Sequence, residues 1–212
     1  MLRPTRIPLF PLDVVLLPGM QLPLHIFEPR YKLMIGKCLG ERAEFGMILA
    51  ASKAIATLGC TAEIVQKLKD YPDGRMDILA VGRAVFRLNE LIDEKEYYEG
   101  AVEYVKDEAS AADPLAPDPD ADAQLVEAFE QCHFLLFERA WAQAACKEPA
   151  TLAYHMAAVL PMELEKRQAL LEMRAEKERR SLVLRWMADF LPKLVELQRA
   201  RKRAGGNGHG PN

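Results

Sequence analysis

The chain has 212 residues, half of them apolar, with 28 basic and 31 acidic side chains and a formal charge of −3. That length buries one good core or two small ones, and the composition is that of a soluble globular protein. Residues 1–106 carry 14 basic and 14 acidic side chains, so no basic excess marks a nucleic-acid-binding surface.

The N-terminal segment MLRPTR is followed by an apolar stretch cut by Pro8, Pro11 and Asp13, a poor signal peptide. No apolar run approaches the roughly 18–20 residues that span a bilayer. The expected location is therefore the cytoplasm, with no membrane partner. Residues 7–34 read IPLFPLDVVLLPGMQLPLHIFEPRYKLM. Pro18-Gly19 is a turn signal. From Met20 the residues alternate. Met20, Leu22, Leu24 and Ile26 share one face; Gln21, Pro23 and His25 share the other, the period of a half-buried strand. Pro29 suits a first helical position, and Arg30–Ile35 continue a helix expected over about residues 29–39.

Strands are expected at Phe45–Ala50, Gly59–Lys69, Met76–Val81, Val85–Leu88 and Gly100–Val105. Tyr71-Pro72-Asp73-Gly74 closes a hairpin, and Gly82 marks a bulge or bend. Asp107–Ala123 holds three prolines, six acids and no base, the composition of an exposed linker. Beyond it the period becomes helical. Leu125, Phe129, Cys132 and Leu136 form one stripe and Phe134, Phe137, Trp141 and Ala145 another, so this helix should be buried on both faces. Further helices are expected at Thr151–Leu160, Glu163–Glu172 and Glu176–Arg203. The last carries a seam of Val183, Met187, Phe190, Leu194 and Leu197, with Pro192 inside it. The expected division is 1–106, a β-rich part with one helix; 107–123, a linker; 124–203, a helical bundle; and 204–212, a disordered tail.

Taken together, "PLFPL…VLLPG…LPLHIFEPRY" at the start, "FGMIL" at 45–49, "LGCTAEI" at 58–64, "DGRMDILAVGRAVFRL" at 73–88 and "LAYHMAAVLPMELEKRQALLEM" at 152–173 resemble the Lon N-terminal domain family. This is the substrate-recognition domain of ATP-dependent Lon proteases, and the likeness runs over about residues 5–198. It implies an α+β fold, a PUA-like β-rich pseudo-barrel followed by an α-helical bundle. It also implies binding of unfolded or extended polypeptide segments, with a separate protease or ATPase as a possible partner. A stand-alone form is expected, without the ATPase and protease domains. Gly36-Lys37 is followed by Cys38 and has Tyr31 where a Walker A motif needs its first glycine. None of Ser52, Ser110 and Ser181 stands in a nucleophile motif.

The remaining chemistry-bearing residues read as structure. Cys38, Cys60, Cys132 and Cys146 form no CxxC pair, so neither zinc nor a disulfide framework is expected and no cofactor is implied. His133 and His155 are expected as satisfied core histidines. Adjacent helical residues point about 100° apart, so Cys132 and His133 are no nucleophile–base pair. Glu28, before Pro29, should cap the helix. Arg30 should pair with a strand carboxylate, Tyr31 continues the motif, and Glu63 with Arg83 and Arg87 should form structural pairs. The expected peptide-binding face is the outer side of a first hairpin: Leu17, Gln21, Pro23 and His25. Two alternatives stand beside it, an RNA-binding module and an enzyme using Glu28, Arg30 or His25 on a small ligand.

Overall fold

The computed structural model describes residues 3–51, 54–108, 119–141 and 152–206. Among the described residues, six strands and five helices give an α+β fold. In chain order they are β1 (Arg6–Leu12), β2 (Gln21–Ile26), α1 (Pro29–Glu41), β3 (Phe45–Ala51), β4 (Ala54–Asp70), β5 (Met76–Ile92), β6 (Glu99–Tyr104), α2 (Pro119–Phe137), α3 (Leu152–Val159), α4 (Leu164–Glu172) and α5 (Glu176–Gly206). The chain divides into two compact units: Met1–Glu108 with Pro161–Arg174, and Ala109–Leu160 with Ala175–Asn212.

In the first unit the strand order is β2-β5-β4-β3-β1-β6, and an additional β5–β6 pairing closes β5, β4, β3, β1 and β6 into a ring. Closure depends on the length of β5. Its first part, Met76–Val81, pairs with β2, and its last part, Phe86–Ile92, pairs with β6. The two strands expected on either side of Gly82 are thus one continuous strand. Gly82 lies within it because a β-carbon there would overlap the Leu17 carbonyl oxygen and stand 2.9 Å from the carbonyl carbon.

The expected first hairpin does not form. β1 pairs parallel with β3 and antiparallel with β6, whereas β2 pairs antiparallel with β5. Parallel neighbours need a long crossover connection, and the segment containing β2 and α1 supplies it. Phe10, Tyr31, Met34, Ile35, Phe45, Met47 and Ile78 lie in one core cluster. Ile7, Leu9, Ile48, Phe86 and Val102 form a second one.

Helix α4 was expected in the bundle 124–203, but it groups with the sheet. Gln168 donates to the Leu58 carbonyl at 3.2 Å, and Arg174 Nε donates to the Lys106 carbonyl at 2.7 Å. These side-chain donors satisfy main-chain oxygens of the β half, which the helical period of α4 does not reveal. Of the expected linker, residues 109–118 lie outside the described residues. Helix α2 already starts at Pro119, a residue suited to a first helical turn. Helix α5 extends to Gly206, and residues 207–212 lie outside the described set.

In the second unit Leu125, Phe129 and Cys132 are buried along α2. The other face of α2 is not buried as expected: Phe134 is 58% exposed and Phe137 is also exposed, while Ala145 lies outside the described residues. The α5 seam is buried at Val183, Met187 and Leu194, but Leu197 is exposed. A charged network ties the start of α5 to its neighbours. Arg179, fully buried, donates to Glu176 at 2.8 Å and lies over the Tyr154 ring at 4.6 Å. Glu176 also accepts from the Ala153 N–H at 3.1 Å, and Arg180 pairs with Asp122 at 2.6 Å.

His133 is buried, with Nδ1 3.1 Å from the accepting Arg139 carbonyl. His155 departs from the expected satisfied histidine. Its Nε2 is buried with no hydrogen-bond partner among the described residues, and burial pushes its pKa down. Such a ring stays neutral, because an unpaired buried charge is too costly. Cys38, Cys60 and Cys132 are buried free thiols; Cys146, Ser52 and Ser110 lie outside the described residues. Ser181 is exposed and donates to the Lys177 carbonyl one turn back at 2.9 Å, which leaves it a helix-surface residue.

Candidate functional site

The site grows from a turn and a strand. The Met20 N–H donates to the Leu17 carbonyl at 3.0 Å across Pro18-Gly19, and Gly19 has φ +78. Proline then a positive-φ glycine at the two central positions is the chemistry of a type II turn. The turn delivers β2 to the outer side of β5. Among the described residues β2 pairs with no other strand, so its second edge is open. The Gly82 N–H donates to the Met20 carbonyl at 3.0 Å. Hydrogen-bonded positions alternate along an antiparallel strand, so the Met20 carbonyl and the backbone groups of Leu22, Leu24 and Ile26 turn toward β5. Gln21, Pro23 and His25 turn theirs toward the open edge. Pro23, which has no N–H, therefore costs the ladder nothing, and it restrains indiscriminate pairing of the edge.

Register extends the outer face across three strands. Gln21 lies beside Val81 and Glu63, Pro23 beside Leu79 and Gln66, and His25 beside Asp77 and Lys69. Gln21, Pro23 and His25 are exposed. Leu17 is not part of this face. It is 0% exposed, its carbonyl closes the turn, and its side chain belongs to the core.

At the C-terminal end of β2 a polar and aromatic cluster gathers. His25 Nδ1 lies 2.5 Å from Asp77 Oδ1, and the Tyr71 hydroxyl donates to Asp77 Oδ2 at 2.9 Å. These hydrogen bonds, His25 first, hold the Asp77 carboxyl below the usual carboxylate range. The Phe27 ring, 57% exposed, stacks against His25 at 5.9 Å. Tyr71 meets His25 edge-on at 5.7 Å. Lys69 and Arg75 lie over the Tyr71 ring at 4.5 and 5.1 Å, within cation–π range. Phe27, Tyr71 and Asp77 escape a reading of the sequence because only strand register brings Asp77 to His25.

The other motif residues form local pairs. Glu28 occupies the N-cap position of α1 with extended backbone, but its side chain makes no cap hydrogen bond. It pairs instead with Arg30, whose Nε and Nη2 lie 2.9 and 2.8 Å from its carboxylate. This replaces both the expected cap and the expected strand partner of Arg30. The Arg30 guanidinium also covers the Tyr31 ring at 4.5 Å. Tyr31 is buried, packs on Phe10 at 4.0 Å, and has its hydroxyl pKa pushed up by burial. Glu63 and Arg83 pair at 2.6 Å on the surface. Arg87 is exposed, opposite Glu103 of β6. Among the described residues no group of three or more His, Cys, Asp or Glu could hold a metal ion. No described helix is long and apolar enough to cross a membrane. What this surface offers chemically is an open strand edge, apolar side chains and cations.

A family model described as the ATP-dependent protease La (LON) substrate-binding domain matches residues 6–189. The Lon protease of Escherichia coli (strain K12) is 28% identical over 215 residues, covering 93% of this chain and 26% of that protein. The Lon protease of Parabacteroides distasonis is 29% identical over 110 residues, covering 48% of this chain and 13% of that protein. This chain thus spans about a quarter or less of those relatives. A solved Lon N-terminal domain protein from Xanthomonas campestris shares the fold with TM-score 0.67 and 24% identity, over 86% of this chain and 99% of its own. The N-terminal domain of Mycobacterium avium complex Lon protease does so with TM-score 0.65 and 19% identity, over 87% and 98%.

Proposed function

The chain belongs to the Lon substrate-binding domain family, and we propose from that premise that it binds extended polypeptide segments without transforming them. The open edge of β2 carries this assignment. An added strand gains main-chain hydrogen bonds there, and its alternate side chains meet Pro23 and the exposed Phe27. Pro23 supplies a carbonyl but no N–H, so the edge offers donors only at Gln21 and His25. Few bonds and a small apolar face give weak, reversible capture, which suits adaptor or chaperone-like work with a separate ATPase or protease. The motif residues Glu28, Arg30, Glu63 and Arg83 are engaged with one another in surface pairs, which supports a structural rather than a catalytic role for them.

The test is a titration of the pure chain with a reduced, alkylated and permanently unfolded protein, with the same protein natively folded as control. Saturable binding of the unfolded form alone is expected. Equal binding of both forms, or of neither, contradicts the assignment.

A further inference from the structure

We infer that the C-terminal part of α5 is a docking site, separate from the β2 edge, for an acidic amphipathic helix of a partner protein. Helices α2 and α5 run in the same direction, since Asp122 pairs with Arg180 and the Leu135 carbonyl accepts from Gln198 at 2.8 Å. α2 ends at Phe137, whereas α5 continues to Gly206. The α5 seam is buried at Val183, Met187 and Leu194, but its next position, Leu197, is 49% exposed. The same spacing then falls on Arg201. Toward the end of α2 the seam thus changes from buried apolar to open and cationic, and helical spacing is what a partner helix would read.

Arg199, Arg201, Lys202 and Arg203 are all exposed. None of them pairs with a described acid, neither Glu196 on α5 nor Glu138 just past α2. The helix dipole favours a cation in the last turn, where Arg203 stands, but its effect does not extend back to Arg199 and Arg201. Like charges four residues apart, as at Arg199 and Arg203, weaken a helix, and carboxylates of a partner remove that cost. The chain's own acids do not serve. Its acidic stretch is tied near the other end of α5, where the Glu108 N–H donates to the Arg174 carbonyl at 3.0 Å and Asp122 pairs with Arg180. From Arg180 to Arg201 the helix rises about 30 Å. Residues 109–118, held at both ends, reach out and back by only about 17 Å. A second copy laid along the same stretch sets cations against cations. The occupant is therefore another protein's helix, with apolar residues for Leu197 and carboxylates for Arg201 and its neighbours.

Three labelled peptides test this on the full chain by fluorescence anisotropy. All carry leucines at helical spacing on one face; among alanines on the other, one has Glu, a second Lys and a third Gln. The Glu peptide should bind tightest, by about tenfold over the Gln peptide, as several exposed ion pairs would give. The advantage should shrink with added salt. Arg201→Glu should weaken the Glu peptide by about fivefold or more, and Leu197→Ser should weaken the Glu and Gln peptides alike. Lys69→Glu, on β4, should change neither. Both α5 side chains are exposed, so these variants should keep their fold, which circular dichroism checks. Equal affinity for the Glu and Lys peptides, or Glu-peptide binding unmoved by both α5 variants, overturns the inference. Unchanged capture of an unfolded protein by the Arg201→Glu variant supports two separate sites; loss of that capture along with the Glu peptide overturns the separation. A homopolymeric RNA that binds more tightly than the Glu peptide, with affinity falling steeply with salt, assigns the cations to nucleic acid. Self-association that Arg201→Glu abolishes, seen by light scattering, assigns them to a second copy. Either result overturns the inference.

Discussion

The Leu17 carbonyl oxygen occupies the space that a β-carbon on Gly82 would need. This close approach lets the turn at Pro18-Gly19 sit against β5, and it sets where β2 begins its ladder. Gly82→Ala should therefore destabilise the protein by roughly 1–3 kcal/mol, the cost of forced overpacking. Gly36→Ala is the control. Gly36 lies within α1 with open space around it, so alanine should stabilise by about 0.5–1 kcal/mol. Urea unfolding midpoints of the two variants give the comparison. Equal behaviour would mean that the Leu17–Gly82 approach is not needed.

The motif at the start of α1 should matter less than its position suggests. Glu28→Ala removes an exposed pair with Arg30 and no cap hydrogen bond, a loss of about 0–1 kcal/mol. Ile26→Ala, at a residue 1% exposed, opens a cavity and should cost about 2–5 kcal/mol. Thermal melts of both variants decide it; a larger loss from Glu28→Ala would give that carboxylate a role the structure does not show.

Glu176 should be the most sensitive charged position in the helical unit. Glu176→Ala leaves Arg179, with a side chain 0% exposed, without the carboxylate at 2.8 Å. Breaking a buried pair on one side costs about 3–5 kcal/mol. Glu176→Gln keeps the acceptor for the Ala153 N–H and should lose less. Circular dichroism during urea titration separates the two.

Burial pushes the thiols of Cys38 and Cys132 up to about 11 and that of Cys60 up to about 12. Their ordinary value is about 8.5. A folded pKa raised in this way contributes stability that is present below about pH 8.5 and lost as pH rises through 11 and 12. Alkylation at pH 8 should therefore leave Cys38, Cys60 and Cys132 unmodified in the folded protein and modify them once it is unfolded, with mass spectrometry locating the label. Rapid alkylation of Cys60 in the folded state would contradict its burial.

Local chemistry made much of this visible in the sequence. Pro18-Gly19 and Tyr71–Gly74 announced their turns, and the alternation from Met20 to Ile26 separated Gln21, Pro23 and His25 from the core face. Pairing over long distances did not show. That β2 meets β5 rather than β1 depends on a register between His25 and Asp77, and nothing near either residue encodes it. Leu17, expected on the outer face, is buried, and its carbonyl lies against Gly82, far along the chain. Helix α4 has a helical period like its neighbours, and only its bonds to Leu58 and Lys106 assign it to the sheet. Phe134 and Phe137 follow an apolar stripe, yet the stripe alone does not tell whether another helix covers it.

Hydrogen exchange at the backbone of β2 tests the central claim most directly. In the free chain the N–H groups of Leu22, Leu24 and Ile26 face β5 and should exchange slowly, whereas those of Gln21 and His25 face the open edge and should exchange fast. Saturation with an unfolded polypeptide should slow Gln21 and His25 while leaving the other three unchanged. Binding that leaves both Gln21 and His25 exchanging at their free rates would contradict capture at the β2 edge.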